Sequence, residues 1–364
     1  MNRRKFIVGA AVAGAAATAA SSFPKPAIAQ GMKELRMVTT WPKNFPGLGT
    51  GAERLAKRIT DATDGKITVK VFAAGELVPP FESFDAVSNG TADMYHGAEY
   101  YWQGKSKAFN YFAAVPFGLT ATEITSWVHH GGGQKLWDDL SAGFNIKPFL
   151  AGNTGVQMGG WFNKEINSLE DYKGLKFRMP GLGGEVLRRL GAAVVNLPGG
   201  EIFAALQSGA IDGTEWVGPW NDLAFGFYKV TKYYYYPGFH EPGTALGVGV
   251  NKKVWDGFSA GEKALVTSAM TAENEYTLAE FNARNGDSLN VLLRQHKVQL
   301  KRFSNDVMRA IGEHSGQVMS EVAAADPVTK KIHESFLDFR RYSISWARIA
   351  DQAFADARLL KFKY

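Results

Sequence analysis

The chain has 364 residues, of which 45% are hydrophobic and 21% charged, a composition typical of a globular protein that excludes a disordered or collagen-like chain. It has no cysteine, which excludes disulfides, thiolate nucleophiles, iron–sulfur clusters and cysteine-ligated zinc. The formal net charge of +6 falls to +2 beyond residue 29, because four of the 41 basic residues and no acidic residue precede that point, leaving 37 against 35. No later run of Lys or Arg exceeds a pair, so no nucleic-acid partner is expected.

Residues 1–29 have the pattern of an export signal. A short basic start with Arg3 and Arg4 precedes an apolar stretch at 6–20 and a small-residue cleavage motif, Ala27-Ile28-Ala29. The paired arginines resemble a twin-arginine signal, and the apolar stretch is too short for a membrane anchor. We therefore expect a cleaved signal and a mature protein in the periplasm.

After residue 30, β-type runs alternate with helical patterns, which predicts an α/β fold. The first group has predicted strands at 35–40, 67–72, 93–96 and 146–151 and predicted helices at 48–62, 81–88 and 122–140. A second group, expected to form a second lobe, has predicted strands at 156–162, 175–179 and 214–217 and a helix at 185–190. Two β-type runs, at 233–236 and 245–251, are expected to return the chain to the first lobe.

From residue 259 the pattern is almost entirely helical, with predicted helices at 259–296, 306–325 and 328–360 and a short β-type run at 298–303. Ser259 and Glu262 form a capping box that fixes the start of the first of these helices. Asp326-Pro327 marks a later break. The last helix, roughly 45 Å long, is longer than one lobe requires, so we expect it to brace both lobes or to reach a second subunit.

A glycine-rich turn at 47–52 satisfies G-x-G-x-x-A through Gly47, Gly49 and Ala52, with Glu76 further on. It therefore raises the alternative of a periplasmic NAD(P)-dependent oxidoreductase. Residues 41–46 separate this turn from the preceding strand, whereas a dinucleotide fingerprint needs its glycines in the tight turn itself. The histidines show no zinc-site spacing, and His129-His130 before three glycines indicates a helix end. No catalytic residues are predicted.

Two segments of the second lobe carry candidate binding residues. The run at 153–162 is rich in glycine and amides, which leave room for a ligand against the backbone. Arg178 ends a predicted strand, where ligands of open α/β sheets bind, and a guanidinium donates two parallel hydrogen bonds to a carboxylate. The alternative is a surface arginine paired with Asp171 or Glu170.

Glu215 lies in an apolar, glycine-bounded run, so its carboxylate needs a cation or hydrogen-bond donors. If an anionic ligand also enters, a bridging cation becomes physically reasonable. Gln157 and Glu215 offer oxygen atoms, which suit sodium or calcium rather than zinc. The alternative is a simple pair between Glu215 and a lysine.

Several motifs occur together in this sequence: AGELVP at 74–79, YYW at 100–102, AVPF at 114–117, NTGVQMGGWF at 153–162, GLKFR at 174–178, GTEWVGP at 213–219 and YYYYPG at 233–238. Together they resemble the solute-binding proteins of tripartite ATP-independent periplasmic (TRAP) transporters, in particular the branch that binds 2-oxoacids. The resemblance spans nearly the whole mature chain. Its most specific parts are the runs at 153–161 and 215–219.

This resemblance implies the roles of individual residues. Arg178 would bind the substrate carboxylate, with further contacts from Tyr101, Asn153, Gln157 and Trp216. The metal ion that bridges protein and ligand would be held by Gln157, Glu215, the backbone carbonyl of Trp216 and Glu241. Two departures concern the pocket wall, where Trp41 is bulky and Phe239-His240 is expected to change the shape.

The resemblance also implies the architecture, a type II-like periplasmic binding protein with two α/β lobes around a cleft and long carboxy-terminal helices. The expected boundaries are a signal at 1–29, a first lobe at 30–152, a second lobe at 153–242, a return at 243–258 and a helical extension at 259–364 that braces the lobes and forms a homodimer. The implied function is that of a TRAP solute-binding subunit rather than an enzyme. It would capture a small 2-oxo or 2-hydroxy monocarboxylate, of the pyruvate or lactate type, with sodium or calcium, and deliver it to the membrane permease subunits.

Overall fold

The structure is a computed structural model that describes residues 32–363, and the predicted export signal lies outside these residues. From Glu34 onward the chain forms one compact unit. The strands are β1 (Lys33–Thr39), β2 (Ile67–Phe72), β3 (Met94–Gly97), β4 (Ile146–Asn153), β5 (Gly160–Phe162), β6 (Lys176–Arg178), β7 (Ala193–Val195), β8 (Gly213–Thr214), β9 (Tyr233–Tyr236), β10 (Ala245–Asn251) and β11 (Gln299–Arg302).

The α-helices are α1 (Gly49–Ala62), α2 (Ser83–Ser88), α3 (Ala121–His130), α4 (Gly133–Ala142), α5 (Gly181–Arg189), α6 (Gly199–Gln207), α7 (Pro219–Phe225), α8 (Lys252–Asp256), α9 (Ala260–Arg294), α10 (Asn305–Ala323), α11 (Pro327–Ile349) and α12 (Asp351–Ala357). Short 3-10 helices occupy Pro80–Glu82, Glu99–Trp102, Lys107–Phe112, Leu169–Tyr172 and Phe227–Lys229. Between residues 32 and 363, no helix combines the length and apolarity needed to span a bilayer.

Two sheets form the centres of two α/β lobes. The first has the strand order β2-β1-β3-β10-β4 and the second β11-β9-β5-β8-β6-β7. In the first sheet β1 is parallel to β3, and β10 is antiparallel to both of its neighbours. In the second, β8, β6 and β7 are parallel, whereas β5 is antiparallel to β8 and β9. The predicted fold class, two α/β lobes with long carboxy-terminal helices, is confirmed.

Helix α1 shows how the apolar spacing determines the packing. Ala52, Leu55 and Ile59 recur on one helical face, and each is completely buried. They pack with Met37 of β1 and Val248 of β10 in the core beside the first sheet. At about 25 cal/mol per Å² of buried apolar surface, each such leucine or isoleucine contributes roughly 1.5–3 kcal/mol to folding.

Two connections between the sheets run side by side. Strand β4 ends at Asn153, opposite Ala245, where β10 begins. Beyond this pair the Thr154 amide donates to the Thr244 carbonyl at 3.0 Å, and the Gln157 amide donates to the Glu241 carbonyl at 3.1 Å. Backbone pairing therefore continues from the first sheet into the region between the lobes.

Helix α9 is the element that braces both lobes. The Ser259–Glu262 capping box is present at its start, as predicted. Glu273 on this helix pairs with Arg54 of α1 beside the first sheet, and Asn285 accepts a hydrogen bond from the Trp220 amide of α7 in the second lobe. The first helix of the carboxy-terminal extension thus contacts both lobes, and the expectation that the last helix braces both lobes or reaches a second subunit stays a prediction. The predicted range of the last helix is divided into α11 and α12 at Ala350, whose backbone departs from helical geometry (ψ −98°).

Three further predictions are corrected. The helix expected at 122–140 is two helices, because Gly132 adopts a left-handed conformation (φ 84°) and ends α3, in agreement with the helix end predicted at His129-His130. The strand expected at 156–162 is limited to β5, since the glycine-rich run before it is irregular. The tyrosine strand β9 does not return to the first sheet but pairs with β5 and β11 in the second.

Candidate functional site

Arg178 ends β6 in the second sheet and is 1% exposed. Its Nη1 donates to the Glu215 carboxylate and, at 3.2 Å, to the Glu215 carbonyl, while Nε donates to the Leu197 carbonyl at 3.1 Å. Within the described residues its Nη2 has no hydrogen-bond partner. The Trp216 ring lies 5.2 Å from the guanidinium carbon. One donor group of a buried cation therefore remains available.

The alternative of a surface arginine is wrong. Asp171 accepts hydrogen bonds from the backbone amides of Asn167 and Ser168, and Glu170 pairs with Lys173. The alternative of a lysine partner for Glu215 is also wrong, because its ion pair is with Arg178.

Glu215 follows β8 and is 1% exposed. Burial raises the pKa of this carboxyl to about 7, and the positive charge of Arg178 opposes the rise. The second carboxylate oxygen lies 3.2 Å from His240 Nε2. Burial lowers the pKa of His240 to about 4, so the imidazole is neutral near neutral pH.

Glu241 adds a second buried carboxylate. Its Oε2 accepts hydrogen bonds from Gln157 Nε2 at 2.7 Å, from the Thr244 hydroxyl and, at 3.4 Å, from the Tyr100 hydroxyl. Burial raises its pKa to about 7, and the negative charge of Glu215 adds to the rise. Ligand atoms of Glu215, His240 and Glu241 all lie within 4.8 Å of one another.

The donor set fits a hard cation. Gln157 Nε2 is committed to Glu241, which leaves Gln157 Oε1 buried without a hydrogen-bond partner in the described chain. Two carboxylates face a single guanidinium, so the buried site carries an excess negative charge when both carboxylates are ionised. Oxygen ligands with excess negative charge favour sodium or calcium over softer metals.

Asn153 and Tyr101 lie in the same region with different roles. The Asn153 amide donates to the Gly243 carbonyl at 3.2 Å and accepts from the Gly155 amide at 2.8 Å, so both of its ends support the backbone. Burial raises the pKa of Tyr101 to about 12, and the nearby charge of Arg178 opposes this rise. Tyr101 is therefore a neutral hydroxyl close to the guanidinium.

A small cavity, with about 10 Å³ of space for the centre of a water-sized sphere, lies among these residues. Its wall has a polar part and an apolar part, and is formed by Trp41, Leu48, Tyr100, Tyr101, Thr154, Gln157, Trp216, Val217, Thr244 and Leu246. Arg178, Asn153, Glu215 and Glu241 do not line it but lie directly behind, as the contacts of Trp216 with Arg178 and of Gln157 with Glu241 show. The structure therefore brings the predicted residues together, with three of them on the wall itself.

Larger openings, each with about 640 Å³ of such space, lie along the carboxy-terminal helices, on α10 and α11 and on α12. The charged side chains that line them are exposed to solvent. They lack the buried charges that distinguish the smaller cavity as the ligand site.

The glycine-rich turn offers no room for a dinucleotide. A Cβ on Gly47 would stand 2.7 Å from the Trp220 ring and 2.8 Å from the Phe281 ring, and one on Gly49 would stand 2.4 Å from the Pro42 carbonyl oxygen. Side chains and backbone therefore fill the space that a pyrophosphate needs. Glu76 is paired with Lys43 at the surface. These contacts argue against the oxidoreductase alternative.

Two residues take part in the site in ways that the sequence analysis did not predict. His240, expected only to change the shape of the pocket wall, belongs to the carboxylate cluster, and its position next to Glu241 was the signal that could have revealed this. His96 accepts a hydrogen bond from the indole of Trp41 at 2.7 Å, and no local motif indicates this pairing because 55 residues separate the two.

Two α/β lobes with buried ligand groups at the segments that join them define a two-lobed solute-binding protein. The family model DctP, described as bacterial extracellular solute-binding protein, family 7, matches residues 37–326. The chain belongs to this family, and its resemblance to TRAP solute-binding proteins is confirmed.

The relatives agree over most of their length. A monocarboxylate 2-oxoacid-binding periplasmic protein of Nostoc is 42% identical over 319 residues, covering 88% of this chain and 87% of its own. A TRAP solute-binding protein from Bordetella bronchiseptica, a dimer with calcium and picolinate in one site, is 36% identical with a TM-score of 0.89, covering 90% of this chain and 98% of its own. One from Pseudoalteromonas atlantica, with bound sodium and pyruvate, is 38% identical with a TM-score of 0.87, covering 91% and 100%.

Proposed function

We propose that this protein captures a small 2-oxo or 2-hydroxy monocarboxylate in the periplasm, without altering it, and delivers it to the permease subunits of a TRAP transporter. The observation that carries the proposal is the buried group formed by Arg178, Glu215, Glu241 and Gln157 beside a cavity whose wall combines polar and apolar residues. Relatives that bind pyruvate or a 2-oxoacid support the same substrate class.

In this proposal the ligand carboxylate binds Arg178, whose Nη2 is the free donor. Tyr101 donates a second hydrogen bond from its neutral hydroxyl. Trp216 covers the guanidinium, and Asn153 keeps the turn after β4 in shape through its two backbone hydrogen bonds. The apolar part of the wall receives the carbon chain.

The cation would be held by Gln157 Oε1, Glu215, Glu241 and the backbone carbonyl of Trp216. A sodium or calcium ion there supplies positive charge for the 2-oxo or 2-hydroxy oxygen of the ligand. Glu215 is also the partner of Arg178, so it competes with the ligand carboxylate for the same guanidinium. We therefore expect the cation and the acid to bind cooperatively.

We further propose that the second lobe comprises residues 153–242 and that two copies associate through the carboxy-terminal helices. The lobe boundaries coincide with the paired connections at Asn153 and Ala245. The association is supported by exposed apolar side chains on α11 and α12, such as Trp346 and Phe354, which are 67% and 68% exposed. A relative that is a dimer supports it as well.

The test is calorimetric titration of the purified protein with pyruvate and lactate in three buffers: sodium, calcium, and a cation-depleted buffer with chelator. We expect saturable binding in the sodium buffer, the calcium buffer or both, and much weaker binding in the cation-depleted buffer. At 100-fold excess over Kd the ligand should stabilise the fold by about 2.7 kcal/mol. Acetate has the carboxylate but no 2-oxo or 2-hydroxy oxygen. It serves as the control and should bind weakly. No binding of either acid under any of these conditions contradicts the proposal.

A further inference from the structure

Two tryptophans line the cavity, Trp41 and Trp216, and Trp41 is 2% exposed. It follows β1 in the first lobe, and its ring centroid lies 6.3 Å from that of Trp216 in the second lobe and 6.3 Å from that of Tyr101. Both of these neighbours adjoin Arg178. The indole is therefore one ring away from the place where the carboxylate is expected to bind.

The position of the Trp41 backbone is fixed. Its amide donates to the Thr39 hydroxyl at 3.3 Å, and its carbonyl accepts from the same hydroxyl at 3.1 Å. The carbonyl also accepts from the Ala74 amide at 2.9 Å. These bonds hold the start of the side chain against the end of the first sheet.

The orientation of the indole is fixed by His96, which lies on β3 and is 1% exposed. An indole N–H can only donate, so Nδ1 of His96 is the acceptor and Nε2 carries the proton. The Ala151 backbone contributes a second hydrogen bond to the ring, and burial lowers the pKa of His96 to about 4, which keeps the ring neutral. His96 is itself held in β3, opposite Thr39 on one side and Val248 on the other.

The aliphatic residues of the wall are Leu48, Val217 and Leu246, whereas Thr154, Gln157 and Thr244 contribute polar groups. In the proposed function the carboxylate and the adjacent oxygen are held by polar groups, so the third carbon of the acid is left to contact the apolar residues of the wall. A rigid, doubly anchored indole there cannot rotate away without losing its bond to His96.

We propose that Trp41, oriented by His96, limits the size of the carbon chain that the site accepts, so that acids with a short chain bind better than branched or longer ones. Trp41 is the specificity-determining residue and His96 its positioning residue. This inference rests on the proposed function.

The test compares the Kd of pyruvate with that of 4-methyl-2-oxopentanoate, in the cation that supports pyruvate binding. A wall that excludes even one methylene is worth roughly 10- to 200-fold in selectivity. We expect the wild-type protein to prefer pyruvate by at least about tenfold, and Trp41→Ala to reduce this preference by about tenfold or more. Trp41→Phe, which keeps an aromatic core, should fall between them and provides a second variant if Trp41→Ala folds poorly.

His96→Leu removes the acceptor and should shift the preference in the same direction, whereas His96→Gln, which keeps an acceptor oxygen, should restore much of it. If Trp41 and His96 had only a structural role, their substitution would weaken the binding of both acids equally and leave the ratio of the two Kd values unchanged. Trp255→Ala is the matched control, since Trp255 packs against Phe149 at a tilted angle and does not line the cavity.

An unchanged ratio in both Trp41 variants, or a wild-type protein that binds the two acids equally well, overturns the inference. A wild-type protein that binds neither acid would instead overturn the proposed function, so the two failures are distinguishable.

Discussion

The substitution Arg178→Lys tests the proposed carboxylate contact while it keeps the positive charge that Glu215 requires. Removal of the charge altogether would leave Glu215 buried without its partner, at a cost of about 3–5 kcal/mol in folding stability. Lysine has one ammonium group in place of the three guanidinium nitrogens. Two of those nitrogens are engaged with Glu215 and the Leu197 carbonyl, and Nη2 is free. The single ammonium group of lysine therefore cannot donate to Glu215 and to a ligand carboxylate with the geometry of the guanidinium.

The expected loss is that of one hydrogen bond between charged groups, about 1.5–3 kcal/mol. It corresponds to a Kd for pyruvate that is weaker by roughly 10- to 150-fold. Isothermal titration in the optimal cation measures this change, with thermal unfolding to show that the variant is folded. Arg54→Lys is the matched control, because Arg54 also pairs with a buried carboxylate, Glu273, but lies outside the cavity. A Kd for Arg178→Lys within twofold of the wild-type value, or an equal loss in the control, would refute the role of Arg178.

Two further predictions concern stability and assembly. Burial raises the pKa of Glu99 to about 8, so the folded protein holds a proton that the unfolded chain releases, and the free energy of unfolding should fall as the pH rises from about 4.5 to 8. Urea unfolding measures how much the free energy of unfolding falls between pH 6 and pH 9. We expect a smaller fall in Glu99→Gln than in the wild type, and equal falls would count against this reasoning. Trp346→Asp and Ile349→Asp place charges on side chains that are 67% and 70% exposed, so sedimentation velocity should give monomers where the wild type gives dimers. Dimers that persist in both variants would exclude this surface as the interface.

The elements that could be predicted from the sequence are those whose pattern is local. Helix α1 has regularly spaced apolar residues, and α9 has its Ser259–Glu262 cap, so both are found where expected. The short elements β7, α6 and α7 were missed, because three to nine residues carry too little periodicity. The expectation that the tyrosine strand returns the chain to the first lobe failed for a different reason, since its pairing with β5 and β11 depends on contacts distant in the chain.

The site shows the same division between features with a local sequence pattern and features that depend on contacts distant in the chain. The residue types of Arg178, Glu215 and Gln157 could be connected with carboxylate and cation chemistry from the sequence. The sequence could not reveal that Glu215 already occupies Nη1 of Arg178, or that both ends of the Asn153 amide hold backbone groups. Such competition between internal and ligand contacts depends on distances of a few tenths of an ångström, which only the folded chain defines.

The side-by-side connections between the lobes affect the order in which the binding groups can come together. Gln157 lies on one of these connections and Glu241 on the other. The two residues are joined through their backbones as well as their side chains. A rotation of one lobe relative to the other about these connections would change the distance from Trp41 to Trp216. It would leave the oxygen donors of Gln157 and Glu241 next to each other. Half of the ion-binding group would thus exist in an open protein, ready before any acid arrives.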